Sequence, residues 1–147
     1  MPGRVCLDAS LALMWVLSDP LAEKAEALWQ QWAIEDVALV APPLFRAEVT
    51  SVIRQTAHRG IIRQERAEAA LRESLTWPVT LWEPNGLLQE KAFALATEHN
   101  QPKAYDAQYV ALAALQGCEL WTGDQRLVRA LADKLPWVKW VGDYTPP

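Results

Sequence analysis

Five apolar runs of four or five residues alternate with longer stretches of helical periodicity, and this alternation is the strongest constraint on the fold. The runs are Arg4 to Leu7, Val37 to Val40, Val79 to Trp82, Cys118 to Trp121 and Trp137 to Val141. Each is short enough for a buried strand and too short for a buried helix. Between them the spacing predicts helices over Ser10 to Leu17, Leu21 to about Ile34, Pro43 to His58, Gln64 to Leu75, Leu87 to Glu98, Lys103 to Gln116 and Asp124 to Lys134. Asp19-Pro20, Pro42-Pro43, Gly60 and Asn100-Gln101-Pro102 supply the breaks, and Pro78 and Pro84 bracket the third strand. Strands that alternate with helices make a parallel sheet covered on both faces. In such a sheet, ligands sit beyond the carboxyl ends of the strands, where the strand order reverses.

The chain has 147 residues and no internal linker, so residues 1–147 are expected to form one domain. Lys and Arg number 14 against 18 Asp and Glu, a net charge of −4 that excludes a protein coating nucleic acid by bulk charge but leaves room for a local basic groove. The two cysteines, Cys6 and Cys118, and the two histidines, His58 and His99, lack zinc-ligand spacing and read as free thiols and as solvated or capping imidazoles. The longest wholly apolar run, Leu11 to Leu17, is far too short for a membrane span. Asp8 interrupts the amino terminus before a secretory signal can develop, so the expectation is a cytoplasmic protein with no membrane association.

Four acids stand out from those on solvated helix faces. Asp8 directly follows the first strand, and Asp124 follows the fourth within Thr122-Gly123-Asp124, positions where an Asp can cap the next helix or serve a site. Glu48 shares a helical stripe with Leu44 and Val52, and Asp106 shares one with Tyr109, Val110 and Ala113. A carboxylate in an apolar stripe should face the interior, where it needs a cation, a hydrogen-bond donor or a proton. A structural ion pair with an arginine would satisfy either. If the four converged, each pair would repel by about 4 kcal/mol at about 4 Å with an effective dielectric of about 20, and a divalent cation would compensate. Oxygen donors favour Mg²⁺ or Mn²⁺ over softer metals.

Four segments then share a resemblance. Val5-Cys6-Leu7-Asp8-Ala9-Ser10, Pro43-Leu44-Phe45-Arg46-Ala47-Glu48, Ala104-Tyr105-Asp106-Ala107-Gln108-Tyr109-Val110-Ala111-Leu112-Ala113 and Leu120-Trp121-Thr122-Gly123-Asp124-Gln125-Arg126-Leu127 resemble, in order and spacing, the four motifs of PIN-domain nucleases. The chain is most similar to the VapC-like toxins of toxin–antitoxin pairs, which are single domains of about this size. The resemblance implies a single PIN-like α/β domain with a five-stranded parallel sheet ordered 3-2-1-4-5. It implies hydrolysis of RNA by a metal-dependent endoribonuclease, leaving a 5′-phosphate and a 3′-hydroxyl. Asp8, Glu48, Asp106 and Asp124 would then hold Mg²⁺ or Mn²⁺, with Ser10 and Thr122 in support. A small antitoxin partner and a homodimer are implied as well. Ser51 stands where many relatives carry Asn, and Arg126 where many carry an acid, which bears on whether a second metal ion is held.

Among the basic residues, Arg46, Lys103 and Arg126 lie within three residues of a candidate acid and rank first as phosphate contacts, ahead of Arg54, Arg59, Arg63 and Arg129. Of the eight tryptophans, four fall in or beside strands (Trp82, Trp121, Trp137, Trp140) and are expected in the core, and two, Trp29 and Trp32, form a ridge that either packs on the sheet or meets a partner. A receiver-type phosphoacceptor is disfavoured because Asp8 has no acidic neighbour and Glu83-Pro84 follows the third strand. A phosphatase with an Asp-x-Asp pair is disfavoured because position 10 is Ser. The alternatives that survive are a PIN nuclease of RNA processing and a catalytically weak binding module, the latter disfavoured by the presence of all four acids.

Overall fold

The computed structural model describes residues 3–83, 85–102, 104–131 and 133–147. Five strands, β1 (Arg4–Leu7), β2 (Ala38–Ala41), β3 (Val79–Leu81), β4 (Glu119–Thr122) and β5 (Val138–Trp140), form one sheet ordered β3-β2-β1-β4-β5 with every pairing parallel. The connecting helices are α1 (Ala9–Leu13), α2 (Ala22–Ile34), α3 (Leu44–His58), α4 (Gln64–Ser74), α5 (Leu87–Glu98), α6 (Tyr105–Gln116) and α7 (Gln125–Leu131). The expected order, 3-2-1-4-5, is therefore the observed one, and the reversal falls between β1 and β4. None of the described helices is long and apolar enough to cross a membrane.

Most boundaries fall within a residue or two of the sequence expectation, and three of the differences bear on the site or its surroundings. The helix expected over Ser10 to Leu17 ends at Leu13, and the residues after it continue as turns. There Trp15 donates its indole N–H to the Ala25 carbonyl at 3.0 Å, tying this stretch to α2. The fourth strand runs one residue later than expected because α6 closes on Gly117 in the left-handed conformation, φ 63°. The Cys118 amide then donates to the Ala113 carbonyl, so the strand starts only at Glu119. That shift makes Thr122 the last residue of β4. Finally, α6 begins at Tyr105, which puts Asp106 in its first turn; Lys103, the expected start, lies outside the described residues.

The sheet core is built from fully buried side chains such as Leu7, Leu11, Phe45, Leu88, Leu112 and Leu120. Beside it, Trp15 and Trp29 meet edge to face with centroids 4.0 Å apart, and Trp77 completes the cluster at 5.2 Å from Trp15. Each such pair adds about 0.5–1.5 kcal/mol beyond its buried area. Trp32 is buried and Trp29 half-buried, so the tryptophan ridge packs inside the chain. The strand tryptophans Trp82, Trp121, Trp137 and Trp140 are half-buried against the core rather than within it. Cys6 is buried and Cys118 half-buried, and both are free thiols.

Candidate active site

The parallel pairing of β1 with β4 sets Leu7 beside Trp121, and the Asp8 amide donates to the Trp121 carbonyl at 3.3 Å. The next side chains along these strands, Asp8 and Thr122, therefore meet at the carboxyl edge of the sheet. Asp8 Oδ1 accepts from Ser10 Oγ at 2.7 Å and from the Leu11 amide at 3.0 Å, while Thr122 Oγ1 donates to Oδ2. The network extends to the second strand end. The Gly123 amide donates to Ser10 Oγ and the Asp124 amide to Thr122 Oγ1, each at 2.9 Å. A Cβ at position 123 would meet Met14 Cε at 2.6 Å and the Ser10 carbonyl oxygen at 3.1 Å, so glycine lets the two turns approach this closely without displacing the Met14 side chain or the Ser10 backbone.

Both strand-end acids also cap helices. Asp8 caps α1, and Asp124 Oδ1 accepts from the Arg126 amide at 3.0 Å and the Leu127 amide at 3.4 Å at the start of α7. Capping and a role in a site are compatible here. The helix bonds of Asp124 all go to Oδ1, and those bonds fix where the carboxylate points.

Glu48, half-buried on α3, faces the same acids across the sheet end. Its Oε1 accepts a hydrogen bond from the Tyr109 hydroxyl at 2.6 Å. Tyr109 is fully buried on α6, one turn after Asp106. In the sequence Tyr109 has only a place on a stripe. The available signal is its i+3 spacing from Asp106 and the need of a buried hydroxyl for a partner. Asp106 departs from the expectation that it faces the interior: it is exposed in the first turn of α6, although Ala107 beside it and Tyr109 and Val110 on its stripe are buried.

The electrostatics carry a common sign. Burial pushes the Asp8 carboxyl above its ordinary range despite the bonds from Thr122, Ser10 and Leu11, and the Asp106 charge adds to the push. Partial burial likewise raises Glu48 against the pull of the Tyr109 hydroxyl, with Asp8 and Asp106 contributing. Lost hydration and the Asp124 charge raise Asp106, and Arg126 opposes them. These groups thus sense one another as like charges.

Among the described residues, no three acidic, histidine or cysteine side chains stand close enough to hold a metal ion as they are placed. The donor chemistry nevertheless fits a hard divalent cation: carboxylates with hydroxyls beside them, mutual repulsion, and no competing thiol or imidazole set. Asp8, Glu48, Asp106 and Asp124 are the residues that would hold it.

A pH dependence follows for the protein in EDTA. A carboxyl whose folded pKa is raised binds protons more readily folded than unfolded, so its contribution to stability is fully present below the unfolded value of about 4 and is lost as pH rises through the folded value. Asp8→Asn removes that loss. The melting-temperature advantage of Asp8→Asn over the parent should therefore grow from about pH 4 towards neutrality; an advantage independent of pH would contradict the raised Asp8 pKa.

The basic candidates scatter. Arg46 donates to the Ser74 carbonyl at 2.9 Å, which commits one of its nitrogens to the end of α4. Arg126 is 93% exposed at the rim, its Nε 3.9 Å from Asp124 Oδ1. Lys103 lies outside the described residues. His58 is exposed in the last turn of α3, and His99 is the C-cap residue of α5, half-buried, with its Nε2 buried and unpartnered among the described residues. A wide surface hollow, lined in part by Arg4, Cys118, Glu119 and Trp137, opens at the other end of β1 and β4 and contains none of the four candidate acids.

Comparison with known proteins identifies the family and the fold. The family model described as PIN domain matches residues 5–132. The chain is 32% identical over 142 residues to Ribonuclease VapC3 of Pyrobaculum aerophilum, covering 90% of this chain and 95% of the relative. It is 29% identical over 126 residues to Ribonuclease VapC12 of Mycobacterium tuberculosis, covering 86% and 91%. The crystal structure of PAE2754 from Pyrobaculum aerophilum superposes with a TM-score of 0.67 at 22% identity, over 97% of this chain and 93% of that one. That of Mycobacterium tuberculosis VapC20, described as a Sarcin-Ricin loop cleaving toxin, superposes with a TM-score of 0.62 at 18% identity, over 86% and 95%. With its sheet order, its strand-end acids and a family match spanning most of its length, the chain belongs to the PIN domain family.

Proposed function

We propose that this protein is a metal-dependent endoribonuclease acting as the toxin of a toxin–antitoxin pair. The observation that carries the reading is the hydrogen-bonded strand-end pair Asp8 and Thr122, with Glu48, Asp106 and Asp124 within electrostatic reach of it or of one another. It is supported by similarity to VapC ribonucleases along most of the chain. In this reading residues 1–147 work as one cytoplasmic domain, paired as a homodimer and held inactive by a small antitoxin.

When bound, Mg²⁺ or Mn²⁺ would supply charge compensation for the phosphate and lower the pKa of an attacking water. The residues of the chain then divide the remaining work. Asp8 is held by Ser10, Leu11 and Thr122 in one orientation, so its carboxylate would be presented to the cation from a fixed direction. Asp106 sits in the first turn of α6, where the helix dipole favours its charge. Glu48 or Asp124 orients the attacking water. Arg126, at the rim, is free to turn from Asp124 to a phosphate of the RNA, with Arg46 and Lys103 as further candidate contacts.

The test is cleavage of a panel of transfer and ribosomal RNAs by the purified protein in Mg²⁺, in Mn²⁺ and in EDTA. Cleavage should leave 5′-phosphates and fall to background in EDTA. Equal cleavage in EDTA would reject the metal. Millimolar Mn²⁺ should also raise the melting temperature by binding the folded state preferentially. Growth arrest on induction, relieved by co-expression of a small neighbouring gene product, separates the toxin from an RNA-processing nuclease.

A further inference from the structure

Glu48 and Asp106 approach the site from different helices, α3 and α6, and the structure joins those helices at one polar contact. The Tyr109 hydroxyl donates to Glu48 Oε1 at 2.6 Å, and Tyr109 lies three residues after Asp106, on the adjoining turn of α6. Its ring is almost wholly buried, 2% exposed, so the hydroxyl has a fixed origin. Glu48, by contrast, is a half-buried residue with several rotatable bonds on a solvent-facing edge. No cation is paired with it among the described residues, where the one ion pair joins Arg126 to Asp124. A rigid donor that engages one carboxylate oxygen and leaves the other free selects one orientation of a side chain that otherwise samples many.

We infer that Tyr109 is a positioning residue: its hydroxyl holds Glu48 by Oε1 and presents Oε2 to the divalent cation, coupling the placement of Glu48 to that of Asp106. The inference rests on the proposed metal site and assigns Tyr109 no contact with RNA or with the cation. Its consequence is specific. Removing the hydroxyl leaves the ring, the core and Asp106 in place, but it frees Glu48, so the cation meets a carboxylate that must first be ordered.

Tyr109→Phe, Glu48→Gln and the double variant are compared with the parent by titrating Mn²⁺ and reading two quantities: the rise in melting temperature and the rate of RNA cleavage. The parent should respond to Mn²⁺ in both. Tyr109→Phe should require about 10-fold more Mn²⁺ for half of either response, the scale on which residues orienting a metal ligand act. Its melting temperature in EDTA should stay close to that of the parent. Glu48→Gln should also weaken the response, and adding Tyr109→Phe to it should produce no further shift, because the hydroxyl acts only through the carboxylate. A Tyr109→Phe midpoint equal to that of the parent, or shifts that add in the double variant, would overturn the inference while leaving the proposed metal site intact. A parent that ignores Mn²⁺ in both readouts would overturn both.

Discussion

Asp8→Asn should cleave RNA at least about 100-fold more slowly than the parent, the scale on which single preorganised electrostatic groups act, and should melt at a higher temperature in EDTA. The two effects have one origin. Asp8 is 6% exposed and carries its charge into a region already crowded by Asp106 and Glu48. Without a cation that charge is a cost. Asn keeps the shape and can still accept from Leu11 and Ser10 through one oxygen while its amide donates to Thr122 Oγ1. The cap survives and the repulsion goes. With Mn²⁺ present the order of stability should reverse, since the parent alone gains the full binding energy. Paired melting curves, with EDTA and with Mn²⁺, check this alongside cleavage assays. Full cleavage by Asp8→Asn would remove Asp8 from the site.

The largest effect on folding is expected at Trp77. Its indole is 7% exposed, meets Trp15 and Trp29 edge to face, and lies 6.4 Å from the Phe45 ring centroid, so it joins the segment after α4 to the turns after α1, to α2 and to α3 at once. Trp77→Ala removes those contacts and leaves a hole that backbone on several elements cannot close together. A loss of about 3–5 kcal/mol follows, which lowers the melting temperature by about 10 °C in a chain of this size. Trp77→Phe should recover much of it, and Trp29→Ala should cost less because Trp29 is only half-buried. Urea denaturation of the three variants measures the order. A Trp77→Ala loss no larger than that of Trp29→Ala would mean that the cluster relaxes around the cavity.

Much of the candidate site is legible in the amino-acid sequence, and the legible part is local. Asp8 and Asp124 are conspicuous because each comes just past a short apolar run, Asp8 at once and Asp124 after Thr122-Gly123, and their capping bonds involve residues two or three positions away. Glu48 is conspicuous because a charge interrupts an apolar stripe. Expectation and structure part where a distant or capping interaction sets the boundary. Closure of α6 on Gly117 moves β4 by one residue and so brings the Thr122 hydroxyl to Asp8, 114 positions away in sequence. Asp106 is exposed in the first turn of α6, although helical periodicity puts it on the stripe of buried Tyr109, Val110 and Ala113. Arg46 is near Glu48 in sequence, yet its bond to the Ser74 carbonyl ties it to α4.

The class of fold, the strand and helix count and the four acids are properties of the linear chain, because burial periodicity and strand-end position are written within a few consecutive residues. Which donors hold those acids is a property of the packed molecule. Ser10 and Thr122 converge on Asp8 through the parallel register of β1 and β4, and Tyr109 reaches Glu48 across 61 residues through the packing of α3 near α6. A hydrogen bond is decided by tenths of an ångström and by direction. Such precision exists only once the elements have packed, and no spacing along the chain can encode it alone.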